Sequence, residues 1–187
     1  MNVFVLRNLV VLLMLIVIVA IIAVTSGVAQ PNSANAPKST ACAAPEYHQF
    51  DFFLGDWDAF DVDKPNSVVA RTRIDAILDG CVVLEDYQGS DGHNGQSFSL
   101  YDATTKTWHQ SWVTNRGELL LLDGRFENGE MVLSGHDIHN GKPREVRGTW
   151  RAVEGGVRET AVISLDQGKT WSPWFDLIFR PHTAGRK

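Results

Sequence analysis

The sequence has no run or stripe of basic residues, and its 17 Lys and Arg are outnumbered by 22 Asp and Glu, for a formal net charge of −5. That balance argues against nucleic acid and against anionic membrane surfaces, which are bound through clustered positive charge. No Cys/His cluster and no His-Glu-x-x-His spacing occurs, so no metal is expected. A nucleophile elbow, a phosphate loop and a dinucleotide fingerprint are all missing, and no cofactor is expected. Helical periodicity is scarce too. Outside the N-terminal apolar segment, Pro45 to Leu54 is the one stretch that spaces apolar residues like a helical turn, with Tyr47, Phe50, Phe53 and Leu54. An α-helical domain is thereby excluded, and the short turn is expected to plug the end of something else.

The N-terminus reads as a targeting segment over residues 1–29. Arg7 supplies the positive start, Leu9 to Val24 is an uncharged apolar run of 16 residues, and Gly27 and Ala29 are small residues placed for cleavage before Gln30. A signal peptide is the expected reading. An uncleaved anchor over residues 9–29 is the alternative, since extension through Ala29 makes a span possible. Either way the rest of the chain is expected in the periplasm or outside the cell. Removing Arg7 with the segment leaves a net charge of −6, which needs no explanation beyond solubility. Residues 30–46 are rich in Pro, Asn, Ser and Ala and read as a linker. A single domain is expected over residues 47–182.

Only two cysteines are present, Cys42 and Cys81. An even pair in an oxidising compartment points to a disulfide. A rival reading makes Ser39-Thr40-Ala41-Cys42 a lipidation site, but a polar linker separates that cysteine from the apolar run.

What remains is strand and turn almost throughout. Short β-rich runs are expected at Trp57–Asp63, Val68–Ile77, Val82–Gln88, Ser97–Asp102, Thr107–Thr114, Leu119–Phe126, Met131–His136, Arg144–Ala152, Arg158–Leu165 and Trp174–Arg180. Asp79-Gly80, Asp91-Gly92, Asn128-Gly129, Asn140-Gly141 and Gly155-Gly156 supply turn residues between them. Runs joined this tightly pair as a meander, and about ten strands leave two exposed edges unless the sheet closes. The expected fold is all-β: an antiparallel up-and-down β-barrel of about ten strands with little helix.

Strand alternation then sorts the candidate residues by face. Trp108, Gln110 and Trp112 share one face of their strand. Turned to a cavity, they give an apolar wall with one amide; turned to a packed core, Gln110 must bond internally. Val83, Glu85 and Tyr87 share a face of another strand. An inward Glu85 is either a general acid or base with raised proton affinity, or half of an ion pair with an inward Arg71, Arg73 or Arg147, the ion pair being the simpler expectation. Trp57, in Leu54-Gly55-Asp56-Trp57, reads as core. Ser164-Leu165-Asp166-Gln167-Gly168-Lys169-Thr170-Trp171 matches the Asp-box pattern S-x-D-x-G-x-T-W. It occurs once in a chain too short for a propeller, so it is read as a hairpin carrying no glycosidase activity. His136-Asp137-Ile138-His139 ends at the Asn140-Gly141 turn, and its two histidines point to opposite faces, against a metal reading.

Cys42-x-x-Pro45-x-Tyr47, Phe50-Asp51-Phe52-x-Leu54-Gly55-Asp56-Trp57-Asp58, Leu78-Asp79-Gly80-Cys81, Trp108-x-Gln110-x-Trp112-Val113 and Asp166-x-Gly168-Lys169-Thr170-Trp171 together resemble a family of bacterial exported proteins grouped with the DUF1579-like calycin domains. The resemblance covers about residues 42–180 and implies a lipocalin-like barrel. It implies no activity and no catalytic residue.

The leading expectation is a barrel that binds a small apolar or amphipathic molecule, with Trp108, Gln110, Trp112, Glu85 and Tyr87 lining its cavity. The alternatives are an enzyme on the same barrel, with Glu85 as acid or base, and a filled, ligand-free module of the envelope.

Overall fold

The computed structural model describes residues 41–183. The expected signal peptide or anchor, and the linker as far as residue 40, lie outside the described residues. Ten strands follow in order: β1 (Gly55–Asp61), β2 (Val68–Ile77), β3 (Val82–Gly89), β4 (Asn94–Asp102), β5 (Thr107–Thr114), β6 (Leu119–Glu127), β7 (Glu130–His139), β8 (Lys142–Val153), β9 (Gly156–Ser164) and β10 (Ser172–Pro181). Each of the ten expected strands is present, with ends displaced by a few residues. Every strand pairs antiparallel with the next, and β10 closes onto β1, from Trp57 opposite Pro181 to Asp61 opposite Leu177. The result is a closed up-and-down barrel without a free edge.

The period of two that makes each strand also fills the interior. On β8, Arg144, Val146, Gly148 and Trp150 are buried, while Glu145, Arg147, Thr149 and Arg151 lie on the outer side. On β6, Leu120 and Leu122 point in and Leu119 and Leu121 point out, although all four are leucines. The tight turns use the residues they require: Asn128-Gly129 and Asn140-Gly141 both hold positive φ, at 54° and 83° and at 52° and 74°.

The segment before β1 closes one end. The expected helical turn is two 3₁₀ turns, Pro45–His48 and Asp51–Phe53. The reason is visible in its spacing: Tyr47, Phe50 and Phe53 lie three apart, the repeat of a 3₁₀ turn, which puts them on one side. Phe50 meets Trp108 and Trp150 edge-on, Phe53 meets Phe179, and Tyr47 meets Tyr101. The Trp57 indole N–H donates to the Phe53 carbonyl at 2.9 Å, pinning the plug to the first strand. Phe50 and Phe53 are buried, and each contributes about 1.5–3 kcal/mol of apolar burial.

Cys42 and Cys81 form a disulfide across a sequence separation of 39. It ties the start of the plug to the Leu78–Gly80 connection between β2 and β3, and it leaves Cys42 no thiol for lipidation. Replacing both cysteines by serine should lower stability by about 2–4 kcal/mol. Urea unfolding of the oxidised protein against the double variant measures this, and equal midpoints would show that the bridge does not restrain the unfolded chain.

Candidate functional site

The plug fills only one half of the barrel. The other half encloses a cavity of about 380 Å³, within the range of small-molecule sites and at its small end. Its walls are mostly apolar: Trp112, Leu120, Leu122, Val146, Trp150 and Leu177. Glu85, Tyr87, Gln110 and Glu159 bring polar atoms into it. Trp150 joins the two halves, touching Phe50 of the plug and also lining the cavity.

Two glycines seat the indoles. A Cβ on Gly148 would stand 2.5 Å from the Trp150 ring, and one on Gly95 would stand 2.5 Å from the Trp112 ring. Both rings therefore approach the glycine backbone more closely than any side chain there would allow.

The expected site residues divide. Gln110, Trp112, Glu85 and Tyr87 line the cavity. Trp108 does not. It lies deeper at 1% exposure, packs against Phe50 and donates its indole N–H to the Gln49 side-chain oxygen at 3.0 Å. It shares a face with Gln110 and Trp112, but its place at the start of β5 sets it against the plug. Gln110 meets both expectations: it faces the cavity and donates to the Ser99 hydroxyl at 3.0 Å. Tyr87 and Trp112 meet edge-on with ring centres 5.7 Å apart.

The expected ion pair at Glu85 is absent. Thr72 and Ile74 point inward on β2, so Arg71 and Arg73 point outward, where they bond Asp56 and Asp75. Arg147 lies on the outer face of β8, over the Trp171 ring at 4.4 Å. Glu85 instead accepts hydrogen bonds from the Thr72 hydroxyl at 3.2 Å and the Ser97 hydroxyl at 3.0 Å. Its other neighbour in the cavity is a second acid, Glu159 of β9. Glu159 was not singled out from the sequence. The signal was available, because Val157, Glu159 and Ala161 alternate on one face of their strand. Trp150 was missed in the same way, although Gly148-Thr149-Trp150 repeats the spacing of Gly55-Asp56-Trp57.

Burial dominates the chemistry of this pair. It pushes the Glu85 carboxyl up to about 7, against the hydroxyl bonds from Ser97 and Thr72, which favour the anion. Glu159 is likewise raised well above the usual range, by burial first and by the charge of Glu85 second. Tyr87 is pushed up to about 12 by burial and by the nearby carboxylates. The carboxyls keep part of their surface open to the cavity and are otherwise enclosed by protein.

Asp61, His93, Trp174 and Phe175 stand toward the mouth, and Trp174 is 44% exposed. His93 bonds Glu118 at 3.1 Å. The inward Arg144 is bound to Asp137 and lies over the Trp174 ring at 4.5 Å, which commits Asp137 to an ion pair. Among the described residues no group of three His, Cys, Asp or Glu is placed to hold a metal. The Asp-box octapeptide forms the β9–β10 connection at this end. Asp166 accepts from the Thr170 backbone N–H and hydroxyl, which with Ser164 hold it down to about 2, and the Trp171 indole N–H donates to the Gly168 carbonyl. It acts here as a hairpin lock. A recess of about 400 Å³ at the plugged end, bounded by His48, Asp51 and the Ala76–Gly80 backbone, lies outside the barrel and has no aromatic wall.

No family model matches the chain, and no curated protein gives a significant match.

The raised carboxyl has a measurable consequence. Folded Glu85 releases its proton near 7, whereas an unstrained glutamic acid releases it near 4.5. Between those values the folded chain holds more protons than the unfolded chain, so stability falls as pH rises through the window and levels off above it. Glu85→Gln removes the share of this slope that Glu85 contributes, while Glu159, raised in the same direction, keeps its own. Urea unfolding from pH 5 to 8 should show the variant gaining on the parent by on the order of 1–3 kcal/mol; parallel curves would mean that the carboxyl is not held in its protonated form.

Proposed function

We propose that this protein is an exported barrel that binds a small apolar or amphipathic molecule in its interior. One observation carries the reading: a cavity of about 380 Å³ inside the barrel, walled by indoles and aliphatic side chains, with a few polar groups gathered in it. A barrel with no role beyond structure would close this space with its own side chains, as the plugged half does. Export is supported by the Cys42–Cys81 disulfide, which persists in oxidising compartments, and by the N-terminal apolar run with its small-residue flank. Kinship with the exported calycin-like family is proposed on the motifs that suggested it.

A second reading is favoured by a specific observation. Glu85 exchanges its proton near neutrality inside a cavity of substrate size, as a general acid or base requires. In that case Glu85→Gln abolishes turnover of whatever the cavity holds, and undiminished turnover in that variant removes this mechanism.

The binding reading is tested by native mass spectrometry of the protein purified from its natural source without detergent. A reproducible extra mass that is lost on denaturation is the expected result. Trp112→Ala should lose that mass while its unfolding midpoint changes little; a variant that only unfolds earlier, with the adduct retained, would show that Trp112 is packing and not a ligand wall.

A further inference from the structure

Resting on the binding reading, we infer that the cavity selects a small monocation, an organic ammonium on an apolar body. The geometry consists of two inward carboxyls facing a common space that no Lys or Arg among the described residues enters. Among the described residues that line the cavity, the acids are Asp61, Glu85 and Glu159, and none is Lys or Arg. His93 is the one basic lining residue, and Glu118 occupies it at the mouth. Arg144 points inward but is held by Asp137 and Trp174. Arg71, Arg73 and Arg147 all lie outside, on Asp56, Asp75 and Trp171.

Buried carboxyls are ordinarily paired with a cation or a metal. Here the hydroxyls of Thr72 and Ser97 satisfy part of Glu85, and Trp150 stands directly opposite Glu159 across the β8–β9 pair, where it favours the anion. Neither carries positive charge, so both carboxyls face the cavity without a counter-charge. An ammonium group supplies it. The walls suit the same guest. Trp112, Trp150 and Tyr87 present aromatic surface beside the carboxyls, and aromatic faces attract organic cations. A carboxylate ligand would instead meet two acids. A neutral ligand would fill the cavity without addressing the feature that sets it apart from a plain apolar hole.

The test uses three probes that share one aromatic body: phenethylamine, 2-phenylethanol and 3-phenylpropanoate. Each is titrated by calorimetry into the full chain at pH 7.5. The amine should bind at least about tenfold more tightly than the alcohol, and the carboxylate most weakly of the three. Glu159→Gln and Glu85→Gln should each bring the amine to within about threefold of the alcohol, with alcohol binding unchanged. If one variant fails to fold, the other and the wild-type ranking still decide. An alcohol or carboxylate that binds as tightly as the amine overturns the cation inference and leaves the binding reading standing. No binding of any probe, together with no adduct in native mass spectra, overturns both.

Discussion

Closing ten strands into one sheet makes an interior wider than the strands' own side chains fill. Eight strands leave room for side chains or for one small ligand, and the diameter grows with strand number. The chain meets this constraint unequally at its two ends. At one end Phe50 and Phe53, brought in on two 3₁₀ turns, pack against Trp108, Trp150 and Phe179. At the other end no comparable segment enters among the described residues, and the space there is the cavity. The position of every site residue follows from where the plug stops, which is why Trp108 is core and Trp112, two positions on along the same face, is wall.

The second constraint is electrostatic. An acid buried beside another acid is costly as an anion, and the protein offsets part of that cost with the Thr72 and Ser97 hydroxyls while burial raises the proton affinity of both carboxyls. It does so on a barrel whose outer surface is rich in arginine, so the lack of an inward cation beside Glu85 is a matter of strand phase. Moving β2 by one residue would bring Arg71 or Arg73 inside and neutralise Glu85 permanently. The observed phase keeps Thr72 and Ile74 inside and the carboxyl available.

Much of the barrel was legible because strand alternation and Asn-Gly turns are local signals. All ten strands, the closed sheet and the shared face of Glu85 and Tyr87 follow from them, and the Cys42–Cys81 pair follows from the even count of cysteines. The depth of a residue along the barrel axis is not a local property. Trp108 and Trp112 have the same phase, and only the plug, brought in from some sixty residues earlier in the chain, separates them. Partner choice is hidden for a similar reason: Glu85 on β3 and Glu159 on β9 face each other across the barrel, and nothing in either strand names the other. The glycines beneath Trp112 and Trp150 illustrate the intermediate case. Gly148-Thr149-Trp150 is readable within one strand, whereas Gly95 and Trp112 meet only once β4 and β5 are paired.

The disulfide and the aromatic plug stand at one end of the molecule, and the connections that frame the mouth stand at the other. Local stability is therefore graded along the barrel axis. The floor of the cavity is covalently braced and densely packed, while hairpins such as Gly89–Asn94 and Ser164–Ser172 can open without exposing that floor. Changes in those loops can therefore alter how the mouth opens while the acids and indoles that line the cavity keep their places.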